Sequence, residues 1–177
     1  MRGWKSERSG QGRRAEGRKL FQSLLSLPRN TSDLCEIIDE AGSLFIQFGA
    51  CKDGLDLFQG AATRFPRVAV FHQGVGCCAG HEGLHDEAVA ASRRALQLEP
   101  RNQKFVNDLG WSLFEAGRLQ EGEKALEQAV SKDPDDELAR ENLRLCKEKL
   151  STLERRDATP SKRMHSMRQR RRALQES

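Results

Sequence analysis

Tyrosine is absent from this sequence, and aromatic residues of all kinds make up only 6% of it. No apolar run approaches the roughly 20 residues that a membrane-spanning helix needs, so a membrane span is not expected. Cysteines at metal or redox spacing are missing too. There are five cysteines, an odd number, and none stands in a CxxC pair. The adjacent Cys77 and Cys78 would diverge by about 100° on a helix and cannot readily bridge. Buried free thiols in a reducing compartment fit better than a disulfide scaffold, which makes the cytoplasm the expected location. The segment Leu20–Pro28 follows basic residues as a leader would. Gln22, Ser23 and Ser26 interrupt it, and no small-residue cleavage site follows, so it reads as a helix of the mature protein.

What is present is charge, unevenly spread. The 177 residues suit one domain, and 37% hydrophobic against 32% charged suits an elongated body with much exposed surface. The net charge of +4 hides a partition. Residues 1–19 carry seven Lys/Arg against two acids (+5), residues 155–177 carry eight against two (+6), and the stretch between carries −7. An acidic body is thus flanked by basic arms.

Phe105 to Pro134 organises the body. Leu109, Leu113 and Phe114 form an apolar stripe at helical spacing, and Ala125, Leu126, Ala129 and Val130 form a second one. Gly117 supplies a turn between them, and Pro134 stops the second helix because it lacks an N–H. Neither stripe can be buried by its own helix. Shifting by 34 residues superposes Pro134, Pro100 and Pro66; Gly110, Gly76 and Gly42; Gly117, Gly83 and Gly49; and Ala129, Ala95 and Ala61. Such a fixed period is the mark of stacked helical hairpins.

The period, with small residues early in the first helix, Ala late in the second and a closing Pro, resembles the tetratricopeptide repeat (TPR) family over Cys35 to Asp136. The expected fold is all-α: an α-α superhelix, or TPR solenoid, of three helical hairpins with a leading helix and a C-terminal capping helix. The expected layout is a disordered basic arm (1–14), a solenoid domain (15–154) and a disordered basic tail (155–177). Within the solenoid, a half-repeat helix at 15–28 precedes repeats at 35–68, 69–102 and 103–136 and a cap helix at 137–154. Pro28 should end the leading helix, with Asn30, Thr31, Ser32 and Asp33 supplying turn and cap chemistry, and Asp135 and Asp136 should cap the last helix. The second repeat is expected to be soft. Gly74, Gly76 and Gly80 each cost about 1 kcal/mol of helix propensity; His72 and Ala79 replace larger apolar residues; Ser92 replaces Phe58 and Leu126.

The resemblance implies that the first helices of the hairpins line an inner surface holding an extended peptide. Carried over by position, that surface comprises Asp39, Ser43 and Gln47, then Gln73, Cys77 and His81, then Lys104, Asn107, Asp108, Trp111 and Glu115. Trp111 either faces this groove as an anchor or packs on the neighbouring helix. Asp39, Asp108 and Glu115 would select a basic or amphipathic peptide. Some chaperone-binding members grip a terminal carboxylate with Lys, Asn and Arg. The corresponding positions here are Asp39, Ser43, Gly74, Lys104 and Asp108, of which only Lys104 fits, so an adaptor of that kind is not expected.

Two further patterns carry weaker readings. His81-Glu82-Gly83-Leu84-His85 matches HExxH, which would make a zinc-dependent hydrolase if both His shared one helical face. Gly83, however, falls in the turn column, so the two should straddle a corner. No catalytic residue, metal or cofactor is therefore expected. Lys162, Arg163, Arg168, Arg170, Arg171 and Arg172 could meet nucleic acid, an anionic surface or an import receptor. No aromatics interleave them for stacking, and a solubilising tail, or one folding back on the acidic groove, is the plainer reading. The expectation is a non-catalytic scaffold or adaptor for a partner peptide, its oligomeric state open.

Overall fold

Residues 16–157 are described by the computed structural model, and among them every regular element is a helix. Helix α1 occupies residues 16–24. It is followed by α2 (Leu34–Gln47), α3 (Cys51–Arg64), α4 (Ala69–His81), α5 (His85–Leu98), α6 (Gln103–Glu115), α7 (Leu119–Lys132) and α8 (Glu137–Asp157). The expectations for residues 1–14 and for the tail beyond Asp157, with Lys162, Arg163, Arg168, Arg170, Arg171 and Arg172, lie outside the described residues. The cap helix continues three residues past the expected Glu154.

The hairpin turns are built alike because glycine stands at the same point in each. Gly49, Gly83 and Gly117 have φ of 67°, 75° and 73°, a left-handed backbone that glycine adopts without a Cβ clash. The residue after each glycine donates its N–H five residues back, Ala50 to Phe45, Leu84 to Ala79 and Arg118 to Leu113, at 2.8–2.9 Å. This ties off carbonyls that the helix end would leave open. Pro66, Pro100 and Pro134 each sit just beyond the end of a second helix, where no N–H is needed.

Consecutive helices pack as hairpins, and the first helices also touch one another: α2 with α4, α4 with α6, α6 with α8. The second helices α3, α5 and α7 make no comparable contact among themselves in the described residues. The stack therefore curves with the first helices on the inner side. Glycine at one column lets each hairpin close. A Cβ on Gly42 would stand 2.1 Å from the Phe58 ring, one on Gly110 2.7 Å from Leu126, and one on Gly76 2.6 Å from the Ser92 hydroxyl. Each of these partners lies on the second helix of the same hairpin. Phe58, Leu57 and Leu126 are essentially solvent-free, as are Ala61, Ala95 and Ala129, so burial of large apolar side chains, about 1.5–3 kcal/mol each, holds the stack.

The ends differ from expectation in detail. α1 stops four residues before Pro28, and the Arg64 guanidinium donates to the carbonyls of Leu24, Leu25 and Leu27, replacing a further helical turn. Asp33 is the N-cap residue of α2 but makes no side-chain cap, and its φ is 58°. Its carboxylate instead accepts the Ser32 hydroxyl at 2.8 Å. At α8 the cap is Asp136, which accepts the Ala139 N–H at 3.0 Å; Asp135 is not the capping side chain.

Candidate functional site: a cavity between the second and third hairpins

Phe58 does more than close its own hairpin. It also reaches the next one, where a Cβ on Gly74 would stand 2.5 Å from the ring. One repeat later the same position holds Ser92, whose side chain is far smaller. Its hydroxyl is buried and lies 2.9 Å from the Ser112 hydroxyl, which donates to the Asp108 carbonyl at 2.9 Å. The space that a large residue would fill remains open. A cavity of about 110 Å³ stands there, floored by Gly76, Ser92 and Ser112 and walled by Gln73, Cys77, His81, Asp108, Trp111 and Glu115.

Its walls come from the helix period. Asp108, Trp111, Ser112 and Glu115 recur at three- and four-residue intervals on α6, and Gln73, Cys77 and His81 do so on α4, so each set shares a face. The Trp111 indole is half-buried and rests on Phe114, centroids 4.9 Å apart and planes tilted by 33°. Trp111 therefore both lines the cavity and is held by a neighbour on its own helix. Asp108 accepts hydrogen bonds from Gln73 and Asn107, yet burial outweighs them and holds its carboxyl above the ordinary 3.8. The Cys77 thiol is pushed up to about 11, first by burial and then by Asp108. At neutral pH it is a protonated, weakly polar wall and not a nucleophile. A carboxylate oxygen of Glu115 lies over Gly80, 2.8 Å from where a Cβ would be. The cavity thus offers two carboxylates, an indole face and neutral polar groups, a set suited to a cation carried on an apolar stem.

Six of the groove residues expected from the sequence meet here: Gln73, Cys77, His81, Asp108, Trp111 and Glu115. The others stand elsewhere. Asn107 is buried and turned to α8, its Oδ1 accepting Nδ2 of Asn142 at 3.1 Å. Lys104 is exposed one turn before Asp108, whose carboxyl it draws down. Asp39 is half-buried on α2, its carboxyl raised by burial and by Glu40, and Ser43 is exposed on the same helix; neither lines this cavity. Gly76, Ser92 and Ser112 were not among the expected site residues. Ser92 in the Phe58 column was the available signal.

His81 ends α4 and His85 begins α5, with Gly83 between them in the left-handed turn. The HExxH pair therefore lies on two helices and not on one face. Among the described residues no three or more His, Cys, Asp or Glu are grouped to hold a metal ion. The five cysteines are free, and no described helix is long and apolar enough to cross a membrane.

Fold and site together define an α-α solenoid of helical hairpins with a lined pocket on the inner helices. Residues 81–144 match the tetratricopeptide repeat family. Over 87 residues, 49% of this chain, it is 31% identical to the small glutamine-rich tetratricopeptide repeat-containing protein 2 of Mycosarcoma maydis, of which that stretch spans 25%. The fold is similar to the Sgt2 TPR domain from Aspergillus fumigatus, with a TM-score of 0.65 and 17% identity over 76% of this chain and 91% of that one. It is also similar to the first TPR domain of human RPAP3, at 0.64 and 18% identity over 70% and 97%. The first TPR of Spaghetti (RPAP3) bound to the HSP90 peptide SRMEEVD gives 0.60 and 18% identity over 65% and 91%. These structural likenesses concern the fold.

Proposed function

We propose that this chain is a non-catalytic interaction module whose inner surface holds a peptide segment of a protein partner, with one basic side chain of that segment seated in the α4–α6 cavity. The observation that carries the reading is the wall of Trp111, Asp108 and Glu115 around a space made by Ser92. A Lys or Arg stem would lie on the indole while its charge meets the carboxylates. The pocket is preformed, so little ordering cost opposes binding. Asp39, Ser43, Lys104 and Asn107 would contact flanking parts of the segment or position the wall.

A related fold holds the acidic peptide SRMEEVD. Two carboxylates in this cavity oppose such a ligand, and Lys104 is the only one of the carboxylate-gripping positions to carry a cation. The thiols suit a reducing compartment, which we take to be the cytoplasm. In this reading 15–154 is the binding unit and the basic segments 1–14 and 155–177 are accessory.

Affinity capture with three baits tests the proposal: wild type, Trp111→Ala with Asp108→Lys, and a chain ending at Asp157. A partner lost only with the double variant supports it. A partner lost only with the truncation overturns it and moves the function to the basic tail, where binding that collapses with salt would mark nucleic acid or an anionic surface.

A further inference from the structure

The cavity beside Trp111 has a floor whose hydrogen bonds can be counted. Each serine hydroxyl carries one proton and two lone pairs. The Ser112 proton goes to the Asp108 carbonyl at 2.9 Å, since a carbonyl can only accept. The Ser92–Ser112 contact at 2.9 Å must then use the Ser92 proton, with Ser112 Oγ accepting. Ser92 Oγ keeps its own lone pairs and, among the described residues, receives no hydrogen bond. Ser92 is 3% exposed and forms part of the cavity floor. A buried acceptor without a donor is costly, so this floor favours a ligand that brings one.

The walls make the same demand. Asp108 and Glu115 add carboxylates, and Gln73 already gives an amide hydrogen to Asp108. The donors left at the cavity are the weak Cys77 S–H, the Trp111 indole N–H and the exposed His81 ring. Ser92 belongs to α5, while Asp108 and Glu115 stand about two turns apart on α6. The acceptors therefore come from separate side chains on two helices. An ammonium directs its protons to different sides of a single atom and can serve all of them. A guanidinium holds its donors in a flat fork that matches the two oxygens of one carboxylate.

We infer that the cavity is selective for the unmodified ammonium of a partner's lysine, against arginine and against lysine acetylated or trimethylated on Nζ. This rests on the proposal that a basic side chain enters here, and narrows that class to one group in one chemical state. Acetylation removes the charge and all but one of the donors, and sets a carbonyl oxygen against an acceptor floor. Trimethylation keeps the charge and the contact with the indole but leaves no donor for Ser92. Either modification of the partner then releases it, with no change in this chain.

The probes are Nα-acetyl-lysine methylamide, its Nζ-acetyl and Nζ-trimethyl forms, and the arginine counterpart. Each is titrated into the full-length chain while the Trp111 indole N–H resonance, identified by its loss in Trp111→Phe, is followed. The lysine probe should bind about tenfold or more tightly than the other three, the scale expected when a buried acceptor is left unsatisfied. Ser92→Ala keeps the space and removes the acceptor. The preference for lysine over trimethyl-lysine should then shrink towards none, while circular dichroism stays that of wild type. Arginine or trimethyl-lysine binding as tightly as lysine, or a preference unchanged in Ser92→Ala, would overturn the inference and leave the basic-side-chain reading standing. Acetyl-lysine binding as tightly as lysine, or a resonance that no cationic probe moves, would overturn both.

Discussion

Phe58 lies in the space that Gly74 leaves open: a Cβ on that glycine would stand 2.5 Å from the ring. Phe58 is 1% exposed and cannot swing aside. Gly74→Ala therefore gains about 1 kcal/mol of helix propensity and loses more to overpacking, which typically costs about 1–3 kcal/mol. The net outcome should be destabilisation in urea unfolding, partly relieved by Phe58→Leu. Gly80→Ala is the contrast. Its Cβ would meet only the far end of the Glu115 side chain, which can move, so that variant should be neutral or slightly stabilised.

Arg64 holds α1 on the stack. Its guanidinium serves the Leu24, Leu25 and Leu27 carbonyls and lies 5.0 Å from the Phe65 ring centroid. Arg64→Ala should cost about 1.5–3 kcal/mol, the usual loss for hydrogen bonds to a charged group. Amide exchange should accelerate selectively in residues 16–24, with α5–α7 unchanged.

Asn107 and Asn142 bond to each other inside the α6–α8 seam. Truncating either to Ala leaves a buried amide without its partner, a loss of about 1–3 kcal/mol. Replacing both should cost less than the sum of the single changes, which a double-mutant cycle in urea reads directly.

Asp108 gives the site a pH dependence. Burial raises its carboxyl above 3.8, so the folded protein holds this proton more tightly than the unfolded chain does. Its stabilising effect is present below 3.8 and is lost as pH rises through the folded value. Wild type should therefore lose stability relative to Asp108→Asn across that window as pH rises. A cationic ligand needs the anion, so its affinity should fall as pH drops through the same window, and Asp108→Asn should flatten that profile.

Much of the architecture was legible because it is periodic. The Gly117 column marked the turns, the Pro134 column the hairpin ends, and the Gly110 column the place where helices close. Single-residue features were harder. Asp33 sits at an N-cap but gives its carboxylate to Ser32, a local competition that residue type does not reveal. Asn107 falls on the column of Gln73 and, as Gln73 does with Asp108 on α6, bonds to the next first-type helix, at Asn142 of α8, a polar pairing that an apolar pattern does not mark. Ser92 was visible as a shrunken core residue and was read as a source of softness. Its consequence is an open space, and that space depends on Gly76 and Ser112, which no one-dimensional pattern places around it.

The central claim is that the volume left by Ser92 receives a basic side chain. Ser92→Leu tests it most directly, because Leu126 already packs on Gly110 at the equivalent place and Ser112 keeps its bond to the Asp108 carbonyl. The measurement is a calorimetric titration of wild type and Ser92→Leu with the partner segment recovered by capture, each protein's unfolding followed alongside. The account predicts a folded variant, at least as stable as wild type, that binds more than about tenfold more weakly, a loss of at least about 1.4 kcal/mol. Equal affinity in a folded Ser92→Leu protein would contradict it.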